Sequence, residues 1–123
     1  MSDMVKVFLD NPATTVDEAL NFLSDKAIEL GIADDRQAVL DAFKAREALG
    51  TTGMMGGFAM PHCKSAVVKD VAIVVVKFAG KVDWEALDGR PIEFAIALFS
   101  PDGDTPLALL SSVAQLLVDE SFR

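Results

Sequence analysis

The chain has 123 residues, of which 51% are hydrophobic and 24% are charged, and this predicts a single globular domain with one hydrophobic core. Its net charge of −8 argues against binding to DNA or RNA, whose phosphates attract a basic surface. The one cysteine excludes an internal disulfide, and the sequence lacks both a signal-peptide pattern and an apolar run of about 20 residues, so we expect a cytoplasmic protein without membrane insertion.

The chain begins with a predicted strand and a predicted helix. Residues 5–9 (VKVFL) favour a strand, and the turn-forming Asn-Pro pair after them ends it. The helix starts with a capping box of Thr15 and Glu18 and stops before Gly31. Its apolar positions recur with the helical period, which predicts one buried face.

A second helix is predicted from about residue 35 to residue 49, with Gly50 as its stop signal. Four apolar side chains are expected on its buried face: Val39, Ala42, Phe43 and Leu49. Arg46 lies seven residues after Val39 and three after Phe43, so it falls on or beside this apolar stripe. A guanidinium there is costly unless an anion or hydrogen-bond acceptors meet it. Arg46 is therefore either a ligand for phosphate or carboxylate, or a side chain that reaches solvent or pairs with an acidic residue.

Residues 50–57 (GTTGMMGG) form a glycine-rich loop. Its four glycines disfavour regular structure and allow backbone segments to approach closely. The loop is not a Walker loop, because the required Lys-Ser/Thr pair is absent. A short strand, residues 58–62 (FAMPH), leads from the loop to His62, and Pro61 is expected to end it.

The second half of the chain predicts two buried strands and a final helix. Residues 71–79 (VAIVVVKFA) and 92–99 (IEFAIALF) are nearly continuous in apolar residues, which is typical of strands covered on both faces. Thr105 and Pro106 favour the start of a helix. The element order, β-α-α-β-β-β-α, predicts an α/β (α+β) fold in which helices flank both faces of a mixed sheet.

His62 is the only histidine in the chain and the leading candidate for a reactive group. Pro61 is expected to present its ring at a strand terminus, and the glycine loop can bring backbone N–H groups close to it. A neutral imidazole is also a good nucleophile near neutral pH. The alternative is a structural or surface histidine. Together with Arg46 and the loop, His62 suits the acceptance and release of a phosphoryl group, for which no metal or nucleotide is needed.

Cys63 comes directly after His62 and raises the question of a Cys-His pair, as in thiol hydrolases. Adjacent residues of an extended segment point to opposite faces, however, so the two side chains are expected to diverge. A small packed residue is the better interpretation of Cys63. One histidine and one cysteine also lack the ligand set of a zinc site.

Two segments carry a resemblance to a known family. Residues 46–78 (REALGTTGMMGGFAMPHCKSAVVKDVAIVVVKF) and 82–101 (VDWEALDGRPIEFAIALFSP) closely resemble the enzyme IIA domain of the mannitol/fructose type (type 2) in the bacterial sugar phosphotransferase system. The most specific parts are the Ala-Met-Pro-His run with a small residue next, the arginine sixteen residues before the histidine, and the Asp-Gly-x-Pro turn.

This resemblance implies a phosphoryl carrier. His62 would accept a phosphoryl group from the phosphocarrier protein HPr and donate it to a cysteine or histidine of enzyme IIB, which phosphorylates the incoming sugar. Arg46 would stabilise the phosphate, and we assign backbone phosphate contacts to Thr52, Gly56 and Gly57. Residues 1–123 would form one domain of this family, and the family pattern continues for about one more helix.

The chain departs from the family pattern at two places. The family loop commonly reads Gly-Asn-Gly where this chain has Met55, Gly56 and Gly57, so a polar side chain near the ring is missing. Many members carry a second histidine at about Pro106, where it supports the phosphohistidine. Two alternatives to a sugar-transport carrier therefore remain: a regulatory, nitrogen-related relative that signals by protein binding, and a non-catalytic interaction module with a degenerate site.

Overall fold

The computed structural model describes residues 5–53, 57–86, 89 and 91–101. Their helices and strands occur in the order β1 (Val5–Asn11), α1 (Val16–Glu29), α2 (Arg36–Ala48), β2 (Phe58–Ala59), β3 (His62–Lys64), β4 (Ala72–Val82) and β5 (Ile92–Ser100). The strands form one sheet in the order β1-β4-β5-β2, and β3 also pairs with β5. Among these strand pairs only β4 and β5 are antiparallel, whereas the others are parallel. This confirms the predicted α/β fold with a mixed sheet.

The start of α1 is stabilised by its own side chains. The Thr15 hydroxyl accepts a hydrogen bond from the Glu18 backbone N–H at 3.2 Å, as the predicted capping box requires. The Glu18 carboxylate reaches one residue further back than in a regular box and accepts from the Thr14 N–H at 2.8 Å. The helix gives way to Gly31, whose positive φ of 74° suits a glycine at a helix end.

The buried face of α2 differs in part from the prediction. Asp35 caps its start by accepting from the Ala38 N–H at 3.1 Å, and Val39 and Phe43 are buried as expected. The prediction that Leu49 is buried was wrong, because its side chain is 85% exposed. Leu49 comes six residues after Phe43, which corresponds to about 240° around a helix of 3.6 residues per turn and directs it away from the core.

Both described helices lie on one face of the sheet. Residues of α1 and α2 form one cluster with the β4 and β5 side chains Ala72, Val74, Val76, Phe78, Ala95, Ala97 and Phe99. The opposite face, which we call the second face, carries the cluster Ile73, Val75, Phe94, Ile96 and Leu98. Both sets are buried, which confirms that β4 and β5 are covered on both sides. The helix predicted from Thr105 lies outside the described residues.

The strand predicted at residues 58–62 consists of two short strands in one continuous register. Phe58 pairs with Phe94, and His62 pairs with Leu98 further along the same strand β5. Pro61 interrupts the ladder because it has no N–H, although its carbonyl accepts from the Leu98 N–H at 2.9 Å. As expected, the first strand ends before Pro61, but pairing resumes directly after it, so His62 is the first residue of β3.

Candidate functional site

His62 and Cys63 face opposite sides of the sheet. Cys63 is 1% exposed within the helix-side cluster, and its Sγ lies 3.9 Å from the Val39 carbonyl oxygen of α2. His62 pairs with Leu98, which belongs to the second face, and side chains alternate along a strand. Burial raises the pKa of the Cys63 thiol to about 12. These findings agree with the interpretation of Cys63 as a packing residue, and they separate it from the ring of His62.

The His62 ring is partly buried, and its surroundings favour the neutral form of the ring. Burial lowers its pKa below the ordinary value of 6.5, and the positive charge of Arg46 lowers it further. The backbone of Met60 and the carboxylate of Glu47 act in the opposite direction. Nδ1 is enclosed and has no regular hydrogen bond to any described residue. A neutral ring near pH 7 has a free lone pair, which a nucleophile needs.

Arg46 lies in the last turn of α2, partly buried, with its charge acting on His62. Its Nη1 donates to the Gly50 carbonyl oxygen at 2.8 Å, where a cation also complements the negative end of the helix dipole. This contact uses one of the five N–H donors of a guanidinium. The charge of Arg46 thus acts on the ring of His62, which comes sixteen residues later in the chain.

The glycine loop carries the three predicted phosphate contacts. Thr52 is 3% exposed, and its N–H donates to Glu47 Oε1 at 3.2 Å while its hydroxyl donates to Glu47 Oε2. Gly57 has a positive φ of 84°, and its carbonyl accepts from the Glu93 N–H at 2.7 Å. Gly56 lies outside the described residues. Phosphate binding by these three residues stays a prediction.

Gly53 shows why the loop needs glycine. A Cβ atom at this position would lie 2.0 Å from the Glu85 carbonyl oxygen. The hydroxyl of neighbouring Thr51 donates to the same carbonyl at 2.6 Å and accepts from the Gly53 N–H at 3.0 Å. This confirms the expected close backbone approach, which holds the start of the loop against the segment around Glu85.

Glu47 is a site residue that sequence reasoning missed. It neighbours Arg46 in the last turn of α2, where a carboxylate is unfavourable because it meets the negative end of the helix dipole. This unfavourable position of a glutamate is the sequence feature from which its role could have been suspected. The structure compensates for it, because Glu47 accepts hydrogen bonds from Thr52 and from the indole Nε1 of Trp84 at 3.2 Å. Trp84 itself is 4% exposed and belongs to the core.

Two kinds of feature are absent from the described part of the chain. None of its helices is long and apolar enough to cross a membrane. Across residues 5–53, 57–86, 89 and 91–101, no group of three or more histidine, cysteine, aspartate or glutamate side chains is arranged to hold a metal ion.

Comparisons with known proteins agree on one family. Residues 2–123 match the family model of the "Phosphoenolpyruvate-dependent sugar phosphotransferase system, EIIA 2". The chain is 33% identical over 119 residues to the fructose-specific EIIA component of Haloferax volcanii, which covers 95% of this chain and 77% of that protein. It is 33% identical over 105 residues to a nitrogen regulatory protein of Bradyrhizobium diazoefficiens, which covers 84% of this chain and 68% of that protein.

Longer proteins and a solved complex extend the comparison. The match to a fructose-specific EIIABC component of Bacillus subtilis spans only 17% of that protein's length. The solved complex of enzyme IIAMTL and phosphorylated enzyme IIBMTL from Escherichia coli shares the fold, with a TM-score of 0.74 and 19% identity over 98% of this chain and 83% of that chain.

Proposed function

We propose that this chain, which belongs to the EIIA 2 family of the phosphoenolpyruvate-dependent sugar phosphotransferase system, carries a phosphoryl group on His62. The observation that supports this most is the His62 ring itself. It is partly buried, and burial and the positive charge of Arg46 both lower its pKa, so the ring is a neutral nucleophile on which a cation acts. Phosphoryl transfer requires this combination, because the nucleophile must attack while positive charge offsets that of the phosphoryl oxygens.

The proposed step is an in-line exchange between two imidazoles. A lone pair of the His62 ring forms a new N–P bond while the N–P bond of the donor phosphohistidine breaks, and the electron pair of the broken bond stays on the donor ring. We assign the attack to Nε2, because Nδ1 is enclosed by protein. Arg46 offsets charge on the equatorial oxygens during acceptance and during donation.

We propose HPr as the donor and enzyme IIB as the acceptor, in the cytoplasm. The net charge of −8 favours docking to a basic surface such as the rim of the HPr histidine. The solved E. coli complex pairs a IIA domain of this fold with phosphorylated IIB, which supports the choice of acceptor. The fructose-specific EIIA component of Haloferax volcanii, as a relative, favours a role in fructose transport.

A regulatory role is the second candidate, and the Bradyrhizobium diazoefficiens relative favours it. In this case His62 would still accept a phosphoryl group, but its state would control binding to other proteins instead of sugar uptake. The two roles differ in the fate of the phosphoryl group. Transfer to an isolated IIB domain supports the transport role, whereas retention of the group in the presence of IIB supports the regulatory one.

The central experiment incubates the chain with phosphoenolpyruvate, enzyme I and HPr and measures its intact mass. We expect a gain of one phosphoryl group in the wild type and none in His62→Ala. Cys63→Ala serves as the matched control, because it changes the next residue on the opposite face of the strand. No gain in the wild type, or equal labelling of His62→Ala, would refute the proposed function.

A further inference from the structure

The carboxylate of Glu47 accepts hydrogen bonds from three donors in a partly buried position. Its Oε1 accepts from the Thr52 N–H at 3.2 Å and from the Trp84 Nε1–H at 3.2 Å, and its Oε2 accepts from the Thr52 hydroxyl. Both partner residues are almost fully buried, at 3% and 4% exposure. Hydrogen bonds to an ionised carboxylate are stronger than those between neutral groups, so these contacts hold Thr52 and Trp84 to Glu47.

The same carboxylate connects the parts of the site that come from different segments. Glu47 is the next residue after Arg46 at the end of α2. Through Thr52 it reaches the strand of the histidine, because the Thr52 carbonyl accepts from the Met60 N–H at 3.0 Å, two residues before His62. Glu47 therefore follows the cation directly in the chain and is hydrogen-bonded to the loop whose donors are expected to meet a phosphoryl group.

The charge of Glu47 opposes that of a phosphoryl group. A phosphoryl group carries close to two negative charges at pH 7, and like charges in a partly dry site repel strongly. A carrier also has to release what it binds, so a site with cations alone would hold the group too firmly. The negative charge of Glu47, next to Arg46 in the chain and bonded to the Thr52 donors, lowers the affinity of the site for the phosphoryl group.

We infer that Glu47 is a positioning residue for phosphoryl transfer at His62, which holds the Thr52 donors in the unphosphorylated chain and destabilises the phosphorylated form through its negative charge. This rests on the proposed function. On phosphorylation, repulsion weakens the hold of Glu47 on Thr52, and the Thr52 hydroxyl and N–H become available to the phosphoryl oxygens. Donation to the next protein restores the contacts of Glu47.

The test measures the hydrolysis rate of the phosphorylated chain and the pKa of His62 by NMR. Glu47→Gln keeps the shape and one acceptor oxygen but removes the charge. We expect phosphohistidine hydrolysis about fivefold slower, which corresponds to about 1 kcal/mol, together with a lower His62 pKa because a nearby negative charge is gone. Asp41→Asn is the matched control, since it removes one negative charge from the exposed side of the same helix.

For a second variant we expect the opposite change in hydrolysis rate and in the pKa of His62. This variant tests the role of Glu47 even if Glu47→Gln does not fold. Trp84→Phe keeps an aromatic ring but removes the indole donor, so the carboxylate is less neutralised. We expect faster hydrolysis and a higher His62 pKa. If the wild type is phosphorylated on His62 but neither variant differs from Asp41→Asn, the role of Glu47 is refuted and the proposed function stands. If the wild type is never phosphorylated, both are refuted.

Discussion

Arg46 donates a hydrogen bond from Nη1 to the carbonyl oxygen of Gly50 at 2.8 Å, just beyond the end of α2, while its charge acts on His62. This contact explains why an arginine is tolerated beside the apolar stripe of α2. The cation meets the negative end of the helix dipole and an acceptor there, which offsets the cost of partial burial.

Replacing Arg46 with Gln should separate its electrostatic role from its structural one. We expect the pKa of His62 to rise, because the positive charge that disfavours ring protonation is removed. The rate of phosphoryl acceptance should fall about a hundredfold, as for loss of a donor to a developing oxyanion. NMR titration and transfer kinetics measure these effects. Lys44→Gln, on the exposed side of the same helix, is the control, and equal effects in both variants would contradict the assignment.

The ionisation of His62 should make stability depend on pH. Its folded-state pKa lies below the ordinary value of 6.5, so the folded chain binds the proton less readily than the unfolded chain does. The contribution of neutral His62 to the free energy of unfolding is therefore complete above the pKa of the unfolded state. It is lost as the pH falls through the pKa of the folded state. We expect the urea midpoint of the wild type to decrease below about pH 6.5 more steeply than that of His62→Gln. If the urea midpoints of the two proteins decrease equally as the pH falls, protonation of His62 is not linked to folding.

Cys63 should behave as an inert core residue. A thiol with a pKa of about 12 has almost no thiolate at neutral pH, and the side chain is buried. We expect iodoacetamide to modify it only after unfolding, as monitored by intact mass. Cys63→Ala should keep full phosphoryl acceptance and lose about 1 kcal/mol of unfolding free energy. Rapid labelling of the folded chain would overturn this view.

Gly53→Ala should destabilise the chain strongly. Its Cβ would lie 2.0 Å from the Glu85 carbonyl oxygen, and backbone atoms cannot move away as a flexible side chain can. We expect a loss of about 3 kcal/mol in the free energy of unfolding, measured by urea denaturation. Gly80→Ala is the matched control, because a Cβ there would have no heavy atom within 4 Å. Similar losses in the two variants would show that steric contact with Glu85 is not the cause.

Leu49 should contribute to docking instead of folding. It is 85% exposed and lies next to Gly50, whose carbonyl oxygen accepts a hydrogen bond from Arg46. Leu49 follows Arg46 by three residues, so a protein that docks over this end of α2 would cover its side chain. We expect Leu49→Ala to lower kcat/KM for transfer from phosphorylated HPr about fivefold without changing stability. Leu9→Ala, at a 62% exposed leucine on β1, serves as the comparison, and the idea fails if the two variants have the same transfer kinetics.

Features that depend on residues close together in the chain could be predicted from the sequence. The capping residues Thr15 and Asp35 marked the helix starts, because a cap acts over three residues. Continuous apolar runs identified β4 and β5 as strands buried on both faces. Alternation along an extended segment predicted that Cys63 and His62 diverge. The helical period also located Arg46 at the edge of the α2 stripe.

Contacts between distant segments required the tertiary structure. The three donors around Glu47 come from a loop five residues later and from Trp84, and no spacing rule relates position 47 to position 84. The close approach of Gly53 to Glu85 likewise depends on where the chain returns after β4. Hydrogen bonds and steric contacts of this kind act over a few ångströms in space, whatever the separation in sequence. The donors around Glu47 and the contact of Gly53 with Glu85 could therefore be identified only from the folded chain.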